Sequence, residues 1–444
     1  IRDRLPFSEW LAAAAGTVVA LAAGLSPATV LLALGVSAVL QASIAFMYRL
    51  QQSRSNQSHS VTMRATFGVW GAHLPQSLLL LARVVVVGGL ALWLPAALDG
   101  TTTLGTFDLD APTGVPTVTM ATVLGALVAV VACILLVPLL RVFGAILGVV
   151  LLLVASTMSL ASAAALDLGV IDIGGSVGLG VALALVVSMS ARNQEPSGAP
   201  MASALRELAS ILTVRVMPAL VLSLLGLLAL SNSVSLAALS AINPVAEINR
   251  VSPASVATVM NISAVVVVLS LVANQVSAIR ESLLAFNIRS GKIAQWLGVA
   301  LAVISPIVHS LVVPQLGSGW PLVTLSLIAA TYTPYLTEAI LRRASFHEVS
   351  LLRSYAFYKK FNILALLGYV AVVTLALGCT PGGPGFIAVA TPTWFGPFTI
   401  VVVIAIGIKV WTLATSFARV RRQESELRQV EVRKNELAGL DFLG

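Results

Sequence analysis

The chain has 444 residues, of which 58% are hydrophobic and only 10% are charged, and its formal net charge is +8. Soluble domains carry about 25% charged residues. Here the charged residues cluster between apolar runs of roughly 20 residues, the length that crosses a bilayer. The composition excludes an ordinary soluble protein and predicts an all-α integral membrane protein. Because most basic residues flank apolar runs, the positive charge does not indicate nucleic-acid binding.

Apolar runs between polar segments predict the transmembrane helices in chain order. Twelve spans are predicted, at residues 8–25, 27–48, 74–97, 119–140, 143–166, 174–191, 209–231, 255–279, 295–314, 319–341, 361–379 and 394–418. We assign residues 1–418 to a single transmembrane domain. Residues 419–444 alternate acidic and basic side chains at helical spacing. This pattern predicts a helical cytoplasmic tail, which is either a solvated helix or a docking helix for a protein partner.

The distribution of charge along the chain predicts its orientation. If the N-terminus lies inside, the loops on the cytoplasmic side hold nearly all the basic residues, and the opposite loops hold one, Arg250, with several acidic residues. The positive-inside rule then places both termini in the cytoplasm. Arginine far outnumbers lysine and alanine and valine are abundant, which favours a bacterial origin. We therefore expect a multi-pass protein of the bacterial plasma (inner) membrane.

The sequence carries no pattern typical of an enzyme. It has no glycine-rich phosphate-binding loop and no activated nucleophile, and Cys133 and Cys379 lack metal-ligand spacing. His309, near the outer end of the ninth span, is interpreted as a hydrogen-bonded packing residue rather than a proton carrier. We predict no enzymatic activity, no metal site and no cofactor.

Polar residues at membrane depth are the first candidates for a site. Gly16 and Thr17 lie in the middle of the first span, and Thr331 in the tenth precedes Pro334, which interrupts that helix. The eighth span carries a polar stripe at helical spacing, formed by Ser270, Asn274, Ser277 and Glu281. Such residues either join helices to one another or line a water-filled cavity. Three spans converging on one cavity favour a substrate site.

Arg83 is a single charge inside the apolar segment "LLLLARVVVVGG" at 78–89. A charge at this depth is costly and usually has a partner or a function. Glu281 and Glu338, both predicted toward the cytoplasmic half of their spans, are the candidate ion-pair partners. Arg83 is therefore a candidate either for binding solute or for an internal ion pair.

The segment 63–93 resembles the loop and third span of the nucleobase–cation symporter family, which includes purine–cytosine permeases and hydantoin transporters. The family pattern "R-x-x-F-G-x-x-G-x-x-L-P" is reproduced in order by Arg64, Phe67, Gly68, Gly71, Leu74 and Pro75. Segments 271–288 and 319–343 are similar to the eighth and tenth spans. The resemblance implies an inverted-repeat, leucine-transporter-like fold of five plus five helices with two more at the C-terminus, and a substrate site at the membrane midplane.

The resemblance also implies roles for individual residues. Asn274 and Gln275 match the amide positions that read the nucleobase, and Ser188 is a polar candidate in the sixth span. Val86 stands where relatives carry a tryptophan that stacks on the base. Val272 and Ala273 stand where relatives present hydroxyls to sodium. Coupling to Na⁺ is therefore not indicated, and coupling to H⁺ is not indicated either.

Two functions follow from these observations. The first is a permease in the lipid bilayer that moves a small polar solute, nucleobase-like or anionic, by alternating access. Arg83 would then contact the solute or supply positive charge in place of sodium. The second is a transporter-like scaffold subunit that no longer transports, in which Arg83 is paired internally and the tail 419–444 binds a protein partner.

Overall fold

The structure is a computed structural model of the chain. It describes residues 25–52, 63–99, 120–134, 169–190, 204–230, 291–316 and 358–379 continuously, together with isolated positions elsewhere, among them residues of the first, eighth and tenth predicted spans and of the tail.

Helices account for nearly all of the described segments. They are α1 (Pro27–Gln52), α2 (Arg64–Phe67), α3 (His73–Asp99), α4 (Met120–Ile134), α5 (Ile173–Ser190), α6 (Ala204–Ile211), α7 (Met217–Leu230), α8 (Gly291–Leu316) and α9 (Ile363–Cys379), and a π-helical segment (Leu212–Val216) joins α6 to α7. These confirm helices at the second, third, fourth, sixth, seventh, ninth and eleventh predicted spans. Among the described residues, His73–Leu92, Leu208–Leu225 and Lys292–Pro314 are long and apolar enough to cross a membrane. The full count of spans and the inverted repeat stay predictions.

One group of helices forms around α1, which packs along α5 and also contacts the π segment and α7. The start of α5 is capped by Asp172, whose Oδ1 accepts the backbone N–H of Gly175 at 3.0 Å. The backbone N–H of Asp172 in turn donates to Thr29 Oγ1 at 3.0 Å. Ser176 Oγ donates to the carbonyl oxygen of Thr29 at 3.0 Å. The cap therefore satisfies the first turn of α5 and ties it to the start of α1.

The π segment explains how a second charged residue fits into an apolar span. In an α-helix, residues four apart share a face, so Arg215 would follow Ile211 into the contact with α1. In the wider π turn, Val216 takes that place, and Ile211 and Val216 are buried together with Ala42 and Ala45 of α1. Arg215 is moved to the edge of the contact, where it is partly buried. The sequence analysis did not single out this arginine.

A second group is formed by α3, α4 and α8, which pack against one another. A Cβ at Gly88 of α3 would overlap the carbonyl oxygen of Ser305 and lie 2.7 Å from His309 Cβ, so the two backbones approach too closely for any other residue. His309 Nδ1 is hydrogen-bonded to the carbonyl oxygen of Val85 at 2.8 Å. His309 is thus a hydrogen-bonded packing residue, as the sequence analysis interpreted it.

Pro306 lies inside α8, and its effect on the helix is compensated locally. Proline has no N–H, so the carbonyl of Ala302 loses its helical partner. Ser305 Oγ donates to that carbonyl at 2.6 Å. The hydrocarbon region of a membrane holds no water that could donate a hydrogen bond to an unpaired carbonyl. The hydroxyl of Ser305 supplies this donor, and the helix continues through the proline.

The ends of the helices pair as the predicted topology requires. The starts of α1 and α5, both predicted on the outer side, lie together, as do the segments 63–72 and 358–362, both predicted on the cytoplasmic side. Which end faces the cytoplasm stays a prediction. In the tail, the described positions between 425 and 436 are helical and mostly exposed, and the division of the chain into domain and tail also stays a prediction.

Candidate functional site

The seam between α3 and the eighth span holds the candidate site. Four apolar residues at helical spacing, in the eighth span and just beyond its predicted end, are buried in one cluster with Val84 and Val87 of α3: Val272, Val276, Ile279 and Leu283. Gln275, which is partly buried, and Ser282, which is buried, flank the apolar contact on one side and stand seven residues apart.

Arg83 reaches across this seam. Its Nη1 donates to Ser282 Oγ at 2.5 Å. Side chains on a helix lean toward its N-terminus, which for α3 is the predicted cytoplasmic end. Ser282 lies just beyond residue 279, the predicted end of the eighth span. The guanidinium therefore sits near the predicted cytoplasmic end of the seam, in the manner of a snorkelling arginine, while its Cα lies well inside the span His73–Leu92.

Aromatic rings continue the same seam toward its predicted cytoplasmic end. The imidazole of His73 stacks on Phe286, with ring centroids 5.3 Å apart and planes 14° apart. Trp70 approaches His73 edge-on at 5.9 Å, and about half of the Trp70 surface is exposed. Toward the predicted cytoplasmic end, the described side chains therefore follow one another in the order Gln275, the Arg83–Ser282 hydrogen bond, and the stacked rings of His73 and Phe286.

The residues that carry the family pattern form a junction with the residues just before α9. We call residues 63–72 the motif loop. Gly68 has φ +92°, and a Cβ there would lie 2.7 Å from the carbonyl oxygen of Lys360 and 2.8 Å from that of Lys359. The backbone N–H groups of Val69 and Trp70 donate to these carbonyls at 3.0 and 2.9 Å. Only glycine allows this approach.

Side chains on both sides complete the junction. Asn362 Nδ2 donates to the carbonyl oxygen of Thr66 at 2.8 Å. Arg64 and Phe67 are completely buried, and burial lowers the pKa of the Arg64 guanidinium. The pattern by which the sequence resembles the family is thus a structural connection between α3 and the start of α9.

Thr331 is the predicted site residue with the most fully described contacts. It is buried, its Oγ1 donates to the carbonyl oxygen of Leu327 at 2.8 Å, and the same oxygen is 2.9 Å from the hydroxyl of Tyr369 on α9. Tyr369 packs edge-on against Phe67 of the motif loop, with centroids 5.6 Å apart. The structure therefore places Thr331 at the contact between the tenth span and α9.

The other predicted residues are described to different extents. Thr17 is buried and donates to the carbonyl oxygen of Ala13 at 2.9 Å. Ser188 lies in α5, but its side chain is not among the described ones. Six candidates lie outside the described residues: Gly16, Ser270, Asn274, Ser277, Glu281 and Glu338. The ion pairs proposed for Arg83 therefore stay predictions, as does the convergence of these residues on one cavity. Among the described residues, no group of three side chains is arranged to hold a metal ion.

Two partners of predicted residues were missed by the sequence analysis. Ser282 directly follows the stripe that ends at Glu281, and its spacing of seven from Gln275 was the signal that it shares that residue's face. Nothing in the sequence around Tyr369 indicated its contact with Thr331, because the two residues lie 38 positions apart in the chain.

Solved structures of a membrane transporter share this fold. Mhp1, described as a nucleobase-cation-symport-1 family transporter, was solved in a closed conformation with bromovinylhydantoin bound; it matches with a TM-score of 0.59 and 17% identity over 95% of both chains. An inward-facing conformation of Mhp1 matches with a TM-score of 0.53 and 18% identity over 94% of both chains. No protein-family profile and no curated relative matches the sequence. The chain thus has the fold of a transporter of this family, which confirms the likeness read from the motif loop.

Proposed function

We propose that the protein is a secondary transporter that moves a small polar solute across a membrane by alternating access. The observation that carries this proposal is the match over nearly the whole chain to a transporter with a bound small molecule. A second conformation of the same transporter matches as well. In this proposal the protein is a multi-pass protein of the bacterial plasma membrane with both termini in the cytoplasm.

The solute is proposed to be nucleobase-like or anionic. Gln275 offers an amide, and Arg83 offers a guanidinium that favours carboxylates. Val86 offers no ring for stacking. Gln275 and Arg83 are proposed to contribute to the site from the seam of α3 and the eighth span. Thr17, Ser188, Asn274 and Ser277 are proposed as further polar contacts of the solute.

Transport is proposed to be independent of sodium. Val272 and Ala273 are completely buried and carry no hydroxyl oxygen. Sodium prefers oxygen ligands, so these positions supply none from their side chains. Arg83 supplies a fixed positive charge on the neighbouring helix instead. No cofactor and no metal is proposed.

A second candidate function is a transporter-like scaffold subunit. It is favoured by the described hydrogen bonds of Thr17 and Thr331, which are made within the protein. The exposed tail positions, such as Val430 and Val432, would then contact a partner protein.

A thermal-shift screen of the purified protein separates these functions. The probes are nucleobases, hydantoins and carboxylates, each measured with and without sodium. Saturable stabilisation by one class, equal in both salts, supports the sodium-independent transporter. Stabilisation only with sodium contradicts the sodium independence and leaves the transporter standing. No stabilisation by any probe, with a partner protein that co-purifies in fixed proportion, contradicts the transporter and supports the scaffold.

A further inference from the structure

We propose that the motif loop, the first half of α9 and Thr331 form a latch that holds the tenth span against α9 and so couples the tenth span to α3. This inference concerns which spans move together, and it does not depend on whether the protein transports a solute.

The first part of the latch is the attachment of α9 to α3. Backbone bonds run from the motif loop to residues 359 and 360, and Asn362 N–H donates back to the carbonyl oxygen of Phe67 at 2.9 Å. The loop leads directly into His73, the first residue of α3. Because backbone groups make these bonds at the two helix starts, α3 and α9 cannot tilt apart at this end without breaking several bonds at once.

The second part is the orientation of Tyr369. Tyr369 is almost completely buried, and its ring meets Phe67 edge-on, with planes 69° apart. Edge-to-face packing holds a ring in one orientation. Its hydroxyl is thereby directed at the tenth span.

The third part is the hydroxyl pair itself. A threonine hydroxyl has one proton, and Thr331 gives it to the carbonyl oxygen of Leu327. Tyr369 must therefore donate in the 2.9 Å bond between the two hydroxyls. Replacing Tyr369 by phenylalanine removes the bond between helices but leaves the bond of Thr331 to its own helix intact.

The hydroxyl pair of Thr331 and Tyr369 lies close in sequence to the predicted break in the tenth span. Pro334 follows Thr331 by one turn in the sequence, and a proline within a helix is where bending concentrates. The pair therefore stands one turn before the position at which the sequence predicts a break in this span. When the hydroxyl pair opens, the tenth span loses this attachment to α9, while the motif loop still holds α9 to α3.

Hydrogen–deuterium exchange of the full-length protein in lipid nanodiscs tests the latch. The variants are Tyr369→Phe, Thr331→Val and Thr331→Ser. The control is Thr374→Val, which removes an exposed hydroxyl on the same helix that bonds only its own backbone at Val370. Peptides from 319–341 report on the tenth span, and peptides from α1 and α5 report on the rest of the fold.

Loss of a hydrogen bond of ordinary strength predicts about fivefold faster exchange. We expect this increase for Tyr369→Phe and Thr331→Val in the tenth span alone, with Thr331→Ser and Thr374→Val unchanged. Exchange in Tyr369→Phe equal to wild type would overturn the proposal. An increase spread equally over α1 and α5 would also overturn it, because it would show general destabilisation. If Thr331→Val does not fold, the comparison of Tyr369→Phe with Thr331→Ser decides the matter.

Discussion

The guanidinium of Arg83 on α3 donates a hydrogen bond of 2.5 Å to the hydroxyl of Ser282, just beyond the predicted end of the eighth span. This bond joins the two segments and draws the charge toward the predicted cytoplasmic end. Arg83 therefore has a described partner that the sequence analysis did not consider. The bond makes two separable predictions, one for stability and one for solute binding.

Removing the acceptor is expected to destabilise the fold. A hydrogen bond to a charged group contributes about 1.5–3 kcal/mol, so Ser282→Ala should lower the free energy of unfolding by an amount within or below this range. Thermal denaturation followed by size-exclusion chromatography measures the change. Arg280→Gln, at an exposed position of the same segment, is the control and should leave the midpoint unchanged. Equal midpoints for Ser282→Ala and wild type would show that the bond contributes nothing.

Removing the charge is expected to change solute binding. Arg83→Gln keeps a polar donor at the seam but loses the positive charge. The concentration of a carboxylate probe that gives half-maximal thermal stabilisation should therefore rise at least tenfold. A neutral nucleobase should be affected less, because its contacts depend on amides rather than on charge. Arg83→Lys keeps the charge and should fall between the two. Unchanged binding of carboxylates by Arg83→Gln would remove Arg83 from the proposed site.

Gly68 is predicted to tolerate no side chain. Its φ of +92° and the carbonyls of Lys359 and Lys360 leave no room for a Cβ. Gly68→Ala should therefore lower the free energy of unfolding by about 1–3 kcal/mol, the usual cost of such strain. Gly35→Ala is a matched control, because a Cβ at Gly35 meets nothing within 4 Å. A helical glycine of that kind should be neutral or slightly stabilised by alanine. A thermal midpoint for Gly68→Ala that is equal to or above that for Gly35→Ala would contradict the described junction.

Ser305 is predicted to matter more than its neighbour Ser310. Ser305 Oγ serves the carbonyl that Pro306 leaves open, whereas Ser310 Oγ bonds the Pro306 carbonyl, which the helix already provides with a backbone donor. Ser305→Ala should cost about 0.5–1.5 kcal/mol of stability and Ser310→Ala less. Thermal midpoints of the two variants in the same lipid give the comparison. An equal decrease of the thermal midpoint in both variants would mean that the hydrogen bond from Ser305 to the Ala302 carbonyl does not stabilise the fold more than the ordinary one from Ser310.

Asp172 is predicted to stabilise the start of α5 through its side chain. Asp172→Ala removes the acceptor for Gly175 and should cost about 1 kcal/mol, whereas Asp172→Asn retains an oxygen and should cost less. Hydrogen exchange at the first turn of α5 measures the effect locally. Exchange equal to wild type in both variants would show that the side chain of Asp172 contributes nothing to the cap, and that the hydrogen bonds to Thr29 suffice.

The sequence predicted the features that depend on hydropathy and local chemistry. The bounds of α1, α3, α5 and α9 follow from apolar runs that end at polar residues, and the structure has these helices within a few residues of the predictions. The motif loop predicted the transporter fold, because its glycines and arginine are needed at one junction whatever the solute.

The features that the sequence did not predict depend on tertiary pairing. Tyr369 and Thr331 meet only because α9 packs on the tenth span, and no periodicity within either segment indicates it. Arg215 was overlooked because a π turn, which hydropathy does not indicate, moves it to the edge of the contact with α1. The hydrogen bond of Arg83 to Ser282 was not predicted, because the sequence analysis considered only carboxylates as partners, and the ion pairs with those carboxylates stay predictions.

The measurement that tests the proposed function most directly is uptake by the purified protein in sealed proteoliposomes without a sodium gradient. Labelled nucleobases, hydantoins and carboxylates are the solutes, and empty liposomes are the background. A sodium-independent transporter predicts saturable exchange of at least one class, reduced in Arg83→Gln and unchanged in Thr374→Val. Folded wild-type protein that exchanges none of these solutes, with or without sodium, and binds none of them, would contradict the account and favour the scaffold.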